Sequence, residues 1–193
     1  MANVAEAVEQ ILSAVKAAYP GWQNLDDPTF IKDEVTYKRN AVEKASQLLG
    51  KEEYSRLLRE GAHEEIRTRL KAFANATNLL YRSQPSTSDI SILTGPESEF
   101  TELAREIYGL LYGEGESSER LEKFSDFEKG RGYRATWPFP TYLLFLLNPG
   151  SDFFVKPTVV QWLLEVAGAS FQYVSKPSGE FYRSLLALLG EIR

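Results

Sequence analysis

A run of seven residues in the C-terminal third, residues 141–147, constrains the fold most because it is apolar on almost every side. A helix with that pattern is enclosed by other parts of a protein or by a membrane. The apolar stretch is far shorter than the ~18–20 residues that span a bilayer. We therefore predict a helix that other helices of the same domain surround. Asn148-Pro149-Gly150 directly after it predicts a turn.

Apolar residues spaced three and four apart predict amphipathic helices through much of the remaining chain. The first helix begins near Val4 and ends at Pro20-Gly21. Asp27-Pro28 predicts an N-cap and first turn for a second helix, which reaches Leu49 with Gly50 as its C-cap. The same spacing predicts helices over residues 52–59 and 118–128, together with others whose apolar faces carry Ile66, Leu70, Phe73, Leu79 and Leu80; Phe100, Leu103, Ile107, Leu110 and Leu111; Val159, Val160, Leu163 and Leu164; and Phe181, Leu185, Leu188, Leu189 and Ile192.

Three short runs are typical of strands, namely residues 90–92, 153–155 and 171–174. The last two flank a predicted helix. The predicted class is therefore mainly α, formally α+β: a multi-helix domain with a short strand-helix-strand element near the C-terminus. Residues 83–91 are rich in Ser, Thr, Pro and Asp and predict a loop. Residues 1–193 thus form one helical domain, or two lobes over residues 1–82 and 92–193.

Composition narrows the functional class. The chain has 193 residues, of which 43% are hydrophobic and 25% charged, the balance of a globular fold. It has no cysteine, which excludes disulfides, cysteine-ligated zinc and a thiol nucleophile. The N-terminal residues lack the basic and apolar regions of a signal peptide. We expect a cytoplasmic protein without a membrane partner.

No motif in the sequence indicates catalysis. His63 is the only histidine and lies beside Glu64 and Glu65, a pattern typical of a solvated surface residue. Walker A, dinucleotide-binding and nucleophile-elbow motifs are all missing. Asp152 and Lys156 suggest a nuclease site, but Phe154 stands where that site needs a carboxylate. We expect no enzyme, no cofactor and no metal site, and Asp152 is interpreted as a turn residue.

The strongest binding signal is a basic and aromatic cluster that comprises Lys129, Arg131, Tyr133, Arg134 and Trp137. The net charge is −5, yet residues 129–193 carry seven basic and four acidic residues. Flexible glycines, arginines and aromatic rings close together suit phosphate contacts and base stacking. In the alternative interpretation, Trp137 anchors the next helix in the core and the cations remain solvated. The candidate nucleic-acid-binding residues are Lys129, Arg131, Tyr133, Arg134, Lys156 and Lys176.

Residues 137–149 and 153–159 resemble a module of bacterial proteins associated with McrB-type restriction systems, which occurs near AAA+ GTPase motors or nuclease partners. Residues 77–80 and 110–113 are similar in order, so the resemblance covers mainly residues 77–183. It implies a recognition or accessory module rather than the nuclease or the motor, and it carries over no catalytic residue.

Three hypotheses follow from the sequence. The first is a non-catalytic recognition module of a bacterial DNA-defence or restriction system, which binds DNA through its basic C-terminal third. The second is a protein-interaction adaptor whose acidic helical front docks a protein partner, for instance from the same system. The third is a carboxylate-based, metal-dependent enzyme.

Overall fold

The computed structural model describes residues 4–82 and 87–192, and these residues form helices and connecting segments without a strand. The prediction of a mainly α-helical chain is confirmed. The helical segments are α1 (Val4–Ala18), α2 (Pro28–Phe30), a π-helical segment (Ile31–Thr36), α3 (Tyr37–Leu49), α4 (Lys51–Arg59), α5 (His63–Ala74), a 3₁₀ turn (Ser91–Thr94), α6 (Glu97–Tyr112), α7 (Ser117–Gly130), α8 (Pro138–Leu147), α9 (Pro157–Val166) and α10 (Gly179–Ile192).

Local capping signals set the ends of the second predicted helix. The Asp27 carboxylate accepts hydrogen bonds from the backbone N–H groups of Thr29 and Phe30, at 2.9 and 3.0 Å. Such a cap satisfies N–H groups that lack a partner in the first turn of a helix. At the other end, a Cβ atom on Gly50 would lie 2.7 Å from the carbonyl oxygen of Ser46, so the chain needs glycine between α3 and α4.

Helix α8 lies at the centre of the fold, as its apolar sequence predicts. It packs against α3, α6 and α7. Its Tyr142 hydroxyl donates to the carbonyl of Phe73 at 2.9 Å and lies 3.1 Å from the hydroxyl of Thr77, which ties α8 to the end of α5. The buried residues of α8 are Phe139, Pro140, Thr141, Tyr142, Leu143, Leu144 and Leu146.

The predicted strand-helix-strand element is wrong. Residues 153–155 and 171–174 flank α9 but have no regular secondary structure, and residues 90–92 run into the 3₁₀ turn. Backbone N–H groups that would bond to a partner strand in a sheet donate instead to side-chain hydroxyls. The N–H of Phe153 donates to the hydroxyl of Tyr182 at 3.0 Å, and the N–H of Val155 donates to the hydroxyl of Thr141 at 3.1 Å. The N–H groups of Phe153 and Val155 are thus satisfied without a sheet.

Helix α5 is shorter than its apolar pattern predicts, because it ends at Ala74 and places Leu79 and Leu80 in the following segment. Arg82 forms hydrogen bonds with carbonyl groups at this end of α5. Its guanidinium donates to the carbonyls of Ala74 and Thr77, at 3.3 and 3.1 Å. Leu80 is nevertheless buried, so the segment after α5 still contributes to the core.

Buried side chains from both sides of the predicted loop form one hydrophobic cluster, which extends from Ala7 in α1 to Leu188 in α10. Residues 83–86 of that loop lie outside the described residues. In the described ranges, no helix is long and apolar enough to cross a membrane.

Candidate functional site

Helix α1 is amphipathic but only weakly buried. Of the residues that the structure describes in this helix, only Ala7 is buried, although it packs against α9 and α10. Val8, Ile11, Leu12 and Val15 all keep part of their surface exposed. Helix stability in proteins comes mostly from packing of the apolar face. The apolar face of α1 therefore has room for further contacts.

An apolar groove lies beside α1. It has a volume of about 750 Å³ and is open to solvent. Helix α1 forms one wall, and the π-helical segment with α3 forms another. Phe145 of α8, Pro149 and Trp162 of α9 complete it. The residues that line this groove, hereafter the α1 groove, are Ile11, Ala14, Val15, Ala18, Tyr19, Phe30, Glu34, Val35, Lys38, Arg39, Val42, Glu43, Phe145, Pro149 and Trp162.

Aromatic rings and an irregular helical turn shape one end of the α1 groove. The rings of Tyr19 and Phe30 meet edge to face, with centroids 5.5 Å apart, and Trp22 lies against Phe30 at 6.3 Å. The π-helical segment Ile31–Thr36 contributes Glu34 and Val35 to the lining. Insertions of this kind are rare in helices and frequent at functional sites.

The rim of the α1 groove carries charges of both signs. The Tyr19 hydroxyl donates to Glu34 at 2.9 Å, and the Lys38 ammonium donates to the same carboxylate at 3.0 Å. The bond from Lys38 lowers the pKa of the Glu34 carboxyl, which therefore stays ionised at neutral pH. Arg39 and Glu43 add one charge of each sign. The rim thus has no net charge.

Trp162 is an exposed aromatic residue in the lining of the α1 groove. Its side chain is 36% exposed, and Val159, one turn earlier on α9, is 43% exposed. Tryptophan is among the residues that dominate binding energy when a partner covers them. These features make the α1 groove the best candidate site for a macromolecular partner.

The predicted basic cluster lies at the end of α7, where several of its members contact acidic side chains. Lys129 pairs with Asp126 at 3.1 Å, and Arg131 pairs with Glu102 of α6. The hydroxyl of Tyr133 donates to Glu99 at 3.4 Å. Glu102 and Glu99 lie one turn apart on α6, so the carboxylates offset the positive charge of this loop.

The remaining candidate residues of that cluster are spread more widely. Arg134 donates to the carbonyl of Thr87 at 3.2 Å, and Lys176 approaches the carbonyl of Ala135 at 3.4 Å. The structure therefore brings Lys176 to the same loop as Arg134. Lys156 is exposed and occupies the N-cap position of α9, where its side chain makes no capping hydrogen bond. The role of all these residues in nucleic-acid binding stays a prediction.

Trp137 is buried in the core, which confirms the interpretation of this residue as an anchor. It is 1% exposed, and its indole N–H donates to the carbonyl of Val174 at 2.7 Å. Its ring packs against Phe181 and Tyr182, with centroids 5.2 and 6.4 Å away. The ring therefore has no free face for a nucleotide base in this conformation.

Two residues that were interpreted as solvated or turn residues are more buried than expected. His63 is half-buried, with its Nδ1 atom 3.3 Å from the Thr101 hydroxyl. Asp152 is 2% exposed and lies 3.3 Å from the hydroxyl of Tyr182. Within the part of the chain that the structure describes, no three His, Asp or Glu side chains are grouped as a metal site would need.

Comparisons of this chain with protein-family models, with curated proteins and with solved structures gave no match. The fold and the α1 groove are therefore the basis for the function proposed below.

Proposed function

We propose that this protein is an interaction adaptor that binds an amphipathic helix of a partner protein in the α1 groove. The observation that carries the proposal is the groove itself, about 750 Å³ of open, mostly apolar space between α1, α3 and α9. A partner helix would place apolar side chains three and four residues apart into such a groove. The proposal differs from the adaptor hypothesis of the sequence, which relied on an acidic helical front, because the rim of the α1 groove has no net charge.

The charge pattern of the rim favours a protein helix over a lipid surface or a nucleic acid. Membranes with anionic lipids and DNA both attract clusters of basic residues. Glu34 and Glu43 balance Lys38 and Arg39 along the α1 groove. A mixed rim instead matches the polar flanks of an amphipathic helix, which carry both signs.

Site-specific photo-crosslinking in cells tests the proposal. A photoreactive phenylalanine analogue would replace Ala14, which is exposed and lines the α1 groove, or Ala17, which is exposed on the same helix outside it. We expect the probe at Ala14 to crosslink to one helical segment of one partner, identified by mass spectrometry. Equal crosslinking from Ala17, or crosslinks between two copies of this chain, would reject a partner helix in the groove.

Replacing Trp162 by aspartate should weaken binding of a synthetic peptide that spans the crosslinked segment. Loss of a central aromatic contact costs about 2 kcal/mol or more in a protein interface, which is roughly 30-fold in affinity. Leu25→Asp is the matched control, since Leu25 is 63% exposed and lies outside the α1 groove. Calorimetric titration would measure both affinities. An unchanged affinity for Trp162→Asp would contradict the assignment of the groove.

DNA binding by a module of a restriction system is a second proposal, based on the resemblance of residues 137–159 and on one structural observation. Lys156 is exposed, with no carboxylate partner among the described residues, at the start of α9. A helix N-terminus with a nearby cation favours an anion. The resemblance would place the protein partner in the same defence system.

Charge reversal at Arg131 and Arg134 tests the DNA proposal. If these residues contact phosphates, Arg131→Glu with Arg134→Glu should abolish DNA binding, and binding by the unmodified chain should fall steeply with salt because counterions are released. Fluorescence anisotropy with single- and double-stranded DNA across a salt series measures this. Lys44→Glu, on the exposed surface of α3, is the control. Binding that survives the double reversal would exclude this loop.

A further inference from the structure

Glu128 is a buried acidic residue that lacks a partner for one of its oxygens. It lies in the last turns of α7 and is 2% exposed. Among residues 4–82 and 87–192, no donor lies within hydrogen-bonding distance of its buried Oε2 atom. Buried polar atoms in proteins almost always have a partner, and a bound ligand or ion is one explanation of an exception. The unpartnered oxygen of Glu128 therefore indicates a candidate ligand site.

A small polar cavity of about 160 Å³ lies beside Glu128. Cavities near 150 Å³ hold a molecule of about six non-hydrogen atoms, such as benzene. The wall of this cavity is polar rather than apolar, so benzene is not a suitable guest. The polar residues that line it include Ser88, Asp89, Glu128, Tyr133, Arg134 and Thr136.

Two carboxyl groups and one guanidinium face this cavity. The Asp89 carboxylate accepts the N–H of Tyr81 at 2.7 Å, and burial raises its pKa. Arg134 lowers that pKa in part, while one of its nitrogens donates to the Thr87 carbonyl. When Glu128 is ionised, the cavity therefore has one negative charge in excess.

The nearest other cations do not neutralise Glu128 directly. Lys129 follows it on α7 but donates to Asp126, and Lys176 approaches the Ala135 carbonyl from the segment before α10. Burial raises the pKa of the Glu128 carboxyl to about 8, against the opposing effect of these two lysines. At neutral pH Glu128 is thus largely protonated, and it lines the cavity together with Tyr133.

We propose that this cavity binds a compact organic cation, a guanidinium or primary ammonium group, whose N–H donors satisfy Glu128 and Asp89. Binding would convert Glu128 to its carboxylate and release its proton to solvent. The bound state would then hold two carboxylates opposite Arg134 and the guest, with the charges balanced. An anion would instead meet two acidic groups, and the small volume excludes anything larger than one such group.

The same chemistry comes from two sources, a free small molecule or the side chain of an arginine or lysine in a partner protein. Two probes distinguish them. Methylguanidinium represents the free cation, and the capped tripeptide Gly-Arg-Gly represents a side chain that enters from a protein. Binding of methylguanidinium with equal or higher affinity supports a free ligand, and binding of the peptide alone supports a partner side chain.

Calorimetry and NMR titration with methylguanidinium and methylurea test the proposal. The two molecules have nearly the same shape, but only the first is charged. A guest that needs ionised Glu128 should bind about fifty-fold more tightly at about pH 8 than at about pH 6, by linkage to the pKa of about 8. Titrations in buffers of different ionisation enthalpy should show release of about one proton per guest at about pH 6. Methylurea should show neither effect.

The variant Glu128→Gln should lose methylguanidinium binding at least tenfold, together with the proton release. Asp126→Asn is the matched control, because Asp126 lies on the same helix, is exposed and does not line the cavity. Chemical shift changes on the backbone amides of Asp89 and Tyr133 would locate the guest. If both cationic probes fail to bind, or if methylurea binds equally well, the cavity does not select a cation and the proposal is rejected.

Discussion

Replacing Glu128 by glutamine is expected to stabilise the protein more at high pH than at low pH. The change that it makes in the free energy of unfolding should be about 3–5 kcal/mol more favourable at about pH 9 than at about pH 4. The pKa of this carboxyl is about 8 in the fold and 4.5 as a free side chain. Between these values the unfolded chain has lost the proton that the folded chain retains. The stability of the unmodified protein should therefore fall as the pH rises through this window and level off above it.

The measurement is urea denaturation of both proteins at a series of pH values in the absence of any guest. Glutamine has nearly the size of the protonated carboxyl and cannot ionise, so its pH curve should lack the decline. Asp126→Asn should leave the decline in place, since Asp126 makes only a surface ion pair with Lys129. Parallel pH curves for the unmodified protein and Glu128→Gln would show that Glu128 ionises normally in the fold.

Replacing Trp137 by alanine is expected to lower the free energy of unfolding by about 3–5 kcal/mol, the usual cost of deleting a fully buried large aromatic side chain. The variant loses ring contacts with Phe181 and Tyr182 and the hydrogen bond to the Val174 carbonyl. Trp137→Phe keeps most of the apolar volume but not the N–H, so its cost should be about 1–3 kcal/mol.

Denaturation monitored by circular dichroism would measure these costs, with Trp162→Ala as the control. Trp162 is 36% exposed in the α1 groove, so its truncation should cost much less than that of Trp137. A stable Trp137→Ala protein that fails to bind DNA would contradict the core role and would restore the interpretation of Trp137 as a base-stacking residue.

Local sequence signals predicted much of the fold. Asp27 and Gly50 act through atoms within four residues of themselves, so their effects are readable from sequence. The central position of α8 follows from its uniformly apolar composition. The strand predictions were wrong because the segments concerned are held by residues distant in sequence. Phe153 and Val155 are held by Tyr182 and Thr141, which are 29 and 14 residues away in sequence, and no local pattern distinguishes such segments from strands.

The candidate sites were less predictable than the fold. The periodicity of α1 shows an apolar face, but it does not show that the rest of the chain leaves that face only half covered. Glu128 did carry a signal. It follows Leu121 and Phe124 at helical spacing, and both are buried, so it occupies the core-facing side of α7. An acidic residue on an apolar helix face is a sequence feature that points to a buried carboxyl.

The hydrogen bond between Phe153 and Tyr182 also has a consequence for biosynthesis. Tyr182 lies in α10, so this bond to the irregular segment after α8 forms only once α10 has been synthesised and has left the ribosome. Contacts distant in sequence form late and leave apolar surface uncovered in the meantime. A truncation before α10 should therefore leave the N–H of Phe153 without the hydroxyl that it bonds in the complete fold.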